Sequence, residues 1–158
     1  MKSTKERIIV MLIEDNQADQ KLTIRAFNKM NFQPTIITAQ DGQEAMEMLT
    51  NQIEDTVNIP RPDIILLDIN MPRMDGKQFL KVLRTTKGLN DIPTIILTTS
   101  EQEKDIDDAY KLGANAYIKK PASIRDFIEV ISKFEQFWFN LAILPSKKKY
   151  YSDIRKNS

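Results

Sequence analysis

The sequence predicts an α/β protein built on a parallel sheet with helices covering both faces. Two observations carry that expectation. Short apolar runs recur along the chain at Ile8 to Ile13, Thr35 to Ala39, Ile64 to Leu67, Thr94 to Leu97 and Ala116 to Ile118. Most are continuous rather than alternating, as strands buried on both faces are, and stretches with helical spacing separate them. The chain has 158 residues, of which 41% are hydrophobic and 28% charged. That suffices for one domain with a real core and excludes a disordered chain.

Each element has a local reason. Ile8 to Ile13 is a buried strand. Asn16 caps a helix reaching Met30, with Ala18, Leu22, Ala26, Phe27 and Met30 on its inward face. Thr35 to Ala39 is a weaker, β-branched strand. Asp41-Gly42 opens a helix whose Ala45, Met46 and Leu49 point inward. The stretch Asn51 to Pro62, with Pro60 and Pro62, reads as a long connection. Ile64 to Leu67 is the central strand. Lys77 to Thr86 is helical, with Phe79, Leu80 and Leu83 inward and Gly88 as its stop. After the strand Thr94 to Leu97, a helix from Lys104 to Leu112 ends at Gly113, a residue suited to a left-handed cap. Ala116 to Ile118 is the last strand. Ser123 caps a long final helix, with Asp126 at the capping-box position.

Composition removes several kinds of chemistry. The chain has no cysteine and no histidine. Disulfides, thiol nucleophiles, Ser-His-Asp hydrolysis, His-ligated zinc and a phosphohistidine carrier role are therefore excluded, and a cytoplasmic setting is compatible. The basic start Met1 to Arg7 precedes an apolar run too short for a signal peptide, and no stretch is long enough to span a membrane. The net charge of +1 hides an asymmetry, since residues 146–158 sum to +4 and the remainder to −3. A mildly acidic body argues against nucleic acid as a partner.

The chemistry concentrates in Asp63-Ile-Ile-Leu-Leu-Asp68-Ile-Asn-Met-Pro-Arg-Met-Asp-Gly76. An apolar strand ends in a carboxylate, and turn-forming Asn, Pro and Gly follow. In an open parallel sheet that edge is where ligands bind. A lone strand-end Asp has a bland explanation as a cap, but Asp68 has company. Glu14 and Asp15 follow the first strand, Thr98 ends the fourth, and Lys120 before Pro121 ends the fifth. All belong to one edge of the sheet. Converging carboxylates repel and raise one another's pKa unless a cation joins them. Mg²⁺ suits the set, because it takes oxygen ligands and keeps several waters. Asp15 and Asp68 can ligate directly, the Asn70 main chain can supply a carbonyl, and Glu14 can hold a water. Lys120 and the Thr98 hydroxyl can meet phosphoryl oxygens while the Asp68 carboxylate attacks phosphorus in line.

These residues and spacings resemble the receiver domain of two-component response regulators over nearly all of Arg7 to about Asn140. The resemblance rests on Leu12-Ile-Glu-Asp15, Leu66 to Gly76, Leu97-Thr-Thr-Ser100 and Tyr117-Ile-Lys-Lys-Pro121. It implies a flavodoxin-like fold of strand order 2-1-3-4-5. It also implies that Asp68 accepts phosphate from a sensor histidine kinase, that Glu14 and Asp15 form the acidic metal pair, and that Lys120 is the family's lysine. Thr98 and Tyr117 match its switch residues. The long connection ending Asn58-Ile-Pro-Arg-Pro-Asp63, with Thr98-Thr-Ser100 and Phe137-Trp-Phe139, is similar to the small regulators partnered with bacterial phytochromes.

The expected organisation is a receiver domain over residues 1–145, ending in an extended helix, and a basic tail over 146–158 that reads as a solvated, unstructured terminus. With no output domain in view, the signal would pass to a protein partner by contact or by phosphate relay. Phe127, Ile131, Phe134, Trp138 and Leu141 form a stripe on the last helix, and Val130, Phe137 and Phe139 fall off it. That surplus suggests a homodimer through the helix. Two other classes compete. An interaction module that has lost phosphorylation would not need Glu14, Asp15, Asp68, Thr98 and Lys120 together. A haloacid-dehalogenase-like phosphatase needs a general acid two residues beyond its nucleophile, where this chain has Asn70. A self-dephosphorylating switch, not a turnover enzyme, is the expectation.

Overall fold

Strands and helices alternate as β1 (Ile9–Ile13), α1 (Gln17–Asn28), β2 (Thr35–Ala39), α2 (Gly42–Ile53), β3 (Ile64–Leu67), α3 (Gly76–Thr85), β4 (Thr94–Thr98), α4 (Glu103–Lys111), β5 (Ala116–Lys119) and α5 (Ile124–Glu135). A π-helical turn, Gln136–Leu141, follows α5. The computed structural model describes residues 8–53 and 61–145, without the side chains of 51–53. The basic tail and most of the connection after α2 lie outside the described residues.

Among the described residues the strands form one parallel sheet in the order β2-β1-β3-β4-β5. This is the flavodoxin-like order the resemblance implies. Met11 lies opposite Ile37 on one side and Ile65 on the other. The strand period of two then sorts the core into two layers. Met11, Ile13, Ile65 and Leu67 pack with Ala45, Met46 and Leu49 of α2, Phe79, Leu80 and Leu83 of α3, and Ala109 of α4. Val10, Leu12, Ile64 and Leu66 pack with Ala26 and Phe27 of α1 and with Phe127, Ile131 and Phe134 of α5. Each such fully buried aliphatic or aromatic side chain contributes about 1.5–3 kcal/mol.

The helix starts behave as their cap residues require. The Asn16 side chain accepts from the Asp19 amide at 3.0 Å, and Ser123 Oγ accepts from the Asp126 amide at 3.1 Å. Asp75 and Gln78 form a reciprocal capping box at α3. Two inward faces differ from expectation. Ala18 is exposed, because it lies in the first turn of α1 where nothing covers it, and Thr23 is buried instead.

The second difference is in the last helix. The Ala142 amide donates to the Phe137 carbonyl, five residues back. A π turn adds one residue to the turn and moves every later side chain round the axis. Phe139, 6% exposed, therefore takes the core position expected for Trp138, which is half-buried. Its ring stacks on Phe27 and meets Phe134 edge-on. Leu141, expected on the stripe, is 72% exposed.

Candidate functional site

The carboxyl edge of the sheet collects the chemistry because neighbouring strands end there together. The Glu14 amide donates to the Ala39 carbonyl and the Asp68 amide to the Ile13 carbonyl, both at 3.0 Å. These bonds continue the ladders past β1 and β3 and fix the backbone bearing both carboxylates. The Lys120 amide likewise donates to the Thr98 carbonyl at 2.7 Å, joining the ends of β4 and β5.

Glu14, Asp15 and Asp68 each bring a carboxylate oxygen to within 4.8 Å of the others. Glu14 is buried, Asp68 half-buried and Asp15 exposed. Lys120, itself buried, ion-pairs with Glu14 and lies 3.2 Å from Asp19. Burial pushes the Glu14 carboxyl up to about 7; the Lys120 hydrogen bond opposes the shift, and the nearby Asp68 charge adds to it. Burial works against the Lys120 charge as well, but the Glu14 hydrogen bond and the charges of Glu14, Asp68 and Asp19 outweigh it and raise its pKa. One buried cation thus faces several carboxylates. That donor set, all oxygen and excess in negative charge, fits a hard divalent cation with room for waters.

The remaining expected residues lie around this cluster. Asn70 is exposed, two residues past Asp68. Thr98 is buried at the end of β4, and its Oγ1 accepts from the Ser100 amide at 3.5 Å. Tyr117 is half-buried on β5, and its hydroxyl donates to the Ser100 carbonyl at 3.0 Å. Ser100 thereby touches both Thr98 and Tyr117, and its hydroxyl donates to Asp105 at 2.5 Å.

Sequence reading missed Asp19 and Ser100 as members of this set. Asp19 carried a signal, since the Asn16 cap places it in the first turn of α1, beside the strand end. Ser100 is legible only as the end of Leu97-Thr-Thr-Ser100, because its tie to Tyr117 runs through the main-chain carbonyl, and main-chain acceptors leave no trace in residue type. Gly76 supports Asp68 from behind. Its amide donates to the Ile69 carbonyl at 2.9 Å, and a Cβ there would stand 2.4 Å from the Asp68 carbonyl oxygen. Only glycine lets α3 start this close to the strand end.

Comparison with known proteins identifies the family. Residues 10–132 match the model of the response regulator receiver domain. The response regulator Rcp1 of Synechocystis is 34% identical over 87% of this chain and 93% of its own. The phosphorylated cyanobacterial phytochrome response regulator RcpA superimposes with a TM-score of 0.82 at 37% identity, over 89% of this chain and 99% of that one. The Mn²⁺-bound form of Rcp1 gives 0.80 at 34%, over 88% and 99%.

Proposed function

The chain belongs to the response regulator receiver family, and from that premise we propose that it is a cytoplasmic phosphoacceptor switch. The observation that carries the reading is the convergence of Glu14, Asp15 and Asp68 beside a buried lysine at one sheet edge. Asp68 is the acceptor. One of its carboxylate oxygens attacks phosphorus in line; the bond from phosphorus to the donor's imidazole nitrogen breaks, and the nitrogen keeps the electron pair. The donor is a sensor histidine kinase, and the likeness to the phytochrome response regulator RcpA points to a phytochrome. Mg²⁺, held by Asp15, Asp68 and the Asn70 carbonyl with Glu14 on a water, would offset the negative charge gathered there. Lys120 rests on Glu14 and Asp19 and meets a phosphoryl oxygen by exchanging one of those partners. The buried Thr98 hydroxyl donates to another.

The reading extends to signal output. Thr98 and Tyr117 share Ser100 as a neighbour, so a shift of Thr98 toward phosphate moves the carbonyl that tethers the Tyr117 ring. No helix among the described residues is long and apolar enough to cross a membrane, and the output is a contact with a protein. Incubation with Mg²⁺ and acetyl phosphate followed by intact mass tests the acceptor. One acid- and base-labile phosphoryl group should appear on the wild type and none on Asp68→Asn. Full labelling of the mutant would refute the assignment.

We also propose self-association through the C-terminal segment. The phase shift of the π turn redraws the surface, leaving Phe137, Leu141 and Ile143 exposed. Phe137 also borders a groove of about 590 Å³ between β5 and α5, with Ile118, Val130, Phe134 and Trp138 in its walls. A second copy related by a two-fold axis would cover this apolar surface. Phe137→Ala should weaken the dimer in sedimentation and leave the melt nearly unchanged. Phe139→Ala should cost the monomer about 3–5 kcal/mol. A wild type that stays monomeric at high micromolar concentration removes the proposal.

A further inference from the structure

The segment that follows Asp68 carries a feature the acceptor chemistry does not use. Arg73 has φ of 63°, and among the described residues no other non-glycine has a positive φ. That conformation crowds the Cβ of an L-residue, and it persists only where surroundings hold it. Here the hold is visible. Arg73 Nε donates to Asp41 Oδ2 at 2.7 Å, and Nη2 donates to Oδ1 at 3.1 Å. The pair is two-pronged, which fixes direction as well as distance.

Asp41 is a firm anchor. It is buried, and its Oδ1 also accepts the Glu44 amide at 2.8 Å in the first turn of α2. Next to it, the Gly42 amide donates to the Met74 carbonyl at 2.9 Å, and a Cβ on Gly42 would stand 2.6 Å from that oxygen. Residues 69–76 are thus fastened at the base by Gly76 to Ile69 and at the crown by Arg73 and Met74 to α2.

The fastening matters for what lies between. Asn70 is offered as a metal ligand through its main chain, and a carbonyl has no rotamers with which to find its place. Only the path of the backbone can aim it. We infer that the Arg73–Asp41 pair is a positioning clamp, holding the loop so that the Asn70 carbonyl faces the Asp15 and Asp68 carboxylates. The inference rests on the proposed metal-dependent phosphoacceptor reading. Arg73 touches neither metal nor phosphate in this role. Its contribution is to keep the third protein ligand in register, and partners of that kind tune metal affinity about 10–100-fold.

Direct Mn²⁺ titration by calorimetry on the purified chain tests this without any phosphorylation assay. Asp41→Asn removes the ion pair and keeps a side chain able to cap α2. Arg73→Gly removes the pair and also relieves the positive φ. Both should bind Mn²⁺ about tenfold more weakly than wild type, with melts showing an intact fold, and Arg73→Lys should recover part of the loss. Asp15→Ala should lose binding outright. Wild-type affinity in both clamp variants, with Asp15→Ala still defective, overturns the clamp and leaves the acceptor site standing. Wild-type affinity in Arg73→Gly alone, with Asp41→Asn weakened, also overturns it, since Asp41 would then act without Arg73. No binding by the wild type would bring down the metal site and the clamp together.

Discussion

The two edges of the same sheet treat charge in opposite ways. At the amino edge every buried charge described meets a partner. Asp63 Oδ2 accepts the Ile9 amide at 2.8 Å, and the Asp63 amide returns a bond to the Ile9 carbonyl. Arg61, fully buried, reaches Asp91 at 2.7 Å. At the carboxyl edge three carboxylates crowd one buried lysine, and Glu14 is pushed up to about 7. Burying charge costs free energy unless it is paired. The amino edge pairs the charge it buries, whereas the carboxyl edge leaves negative charge in excess around one lysine.

Substitution should separate the edges by sign. The larger effect falls at the amino edge. Asp63→Ala strands the Ile9 amide in a buried setting and should cost about 1–3 kcal/mol in denaturant unfolding. At the carboxyl edge, Asp68→Ala removes a repulsion and lets Glu14 move back toward its ordinary value. Metal-free stability should stay level or rise, by about 1 kcal/mol at most. Destabilisation of both variants by the same amount would erase the distinction.

Much of the molecule is legible in its amino-acid sequence, for reasons particular residues show. Strand order follows from a resemblance that Asp68, Thr98 and Lys120 carry by their spacing from strand ends. Periodicity finds the faces of α2 and α3, since Met46, Leu49, Phe79 and Leu83 obey an undisturbed α-helical repeat. The same rule fails at Phe139 and Trp138. The π turn seats Phe139 against Phe27, and no residue in Gln136–Leu141 announces it. In the site, acidic residues and the lysine are visible because each is a charged side chain at the end of an apolar strand. The Arg73–Asp41 pair is not, because its members lie 32 residues apart and join only when α2 packs beside the loop.

Unfolding of the metal-free protein against rising Mg²⁺ concentration measures most directly whether the carboxyl edge holds charge in reserve for a cation. Wild-type stability should climb with Mg²⁺, reaching about 2.7 kcal/mol at a concentration one hundred times the dissociation constant. Asp63→Ala should climb in parallel from a lower start, while Asp15→Ala should stay flat. A flat wild type, or an Asp15→Ala variant that climbs equally, would contradict the assignment of that edge as a cation site.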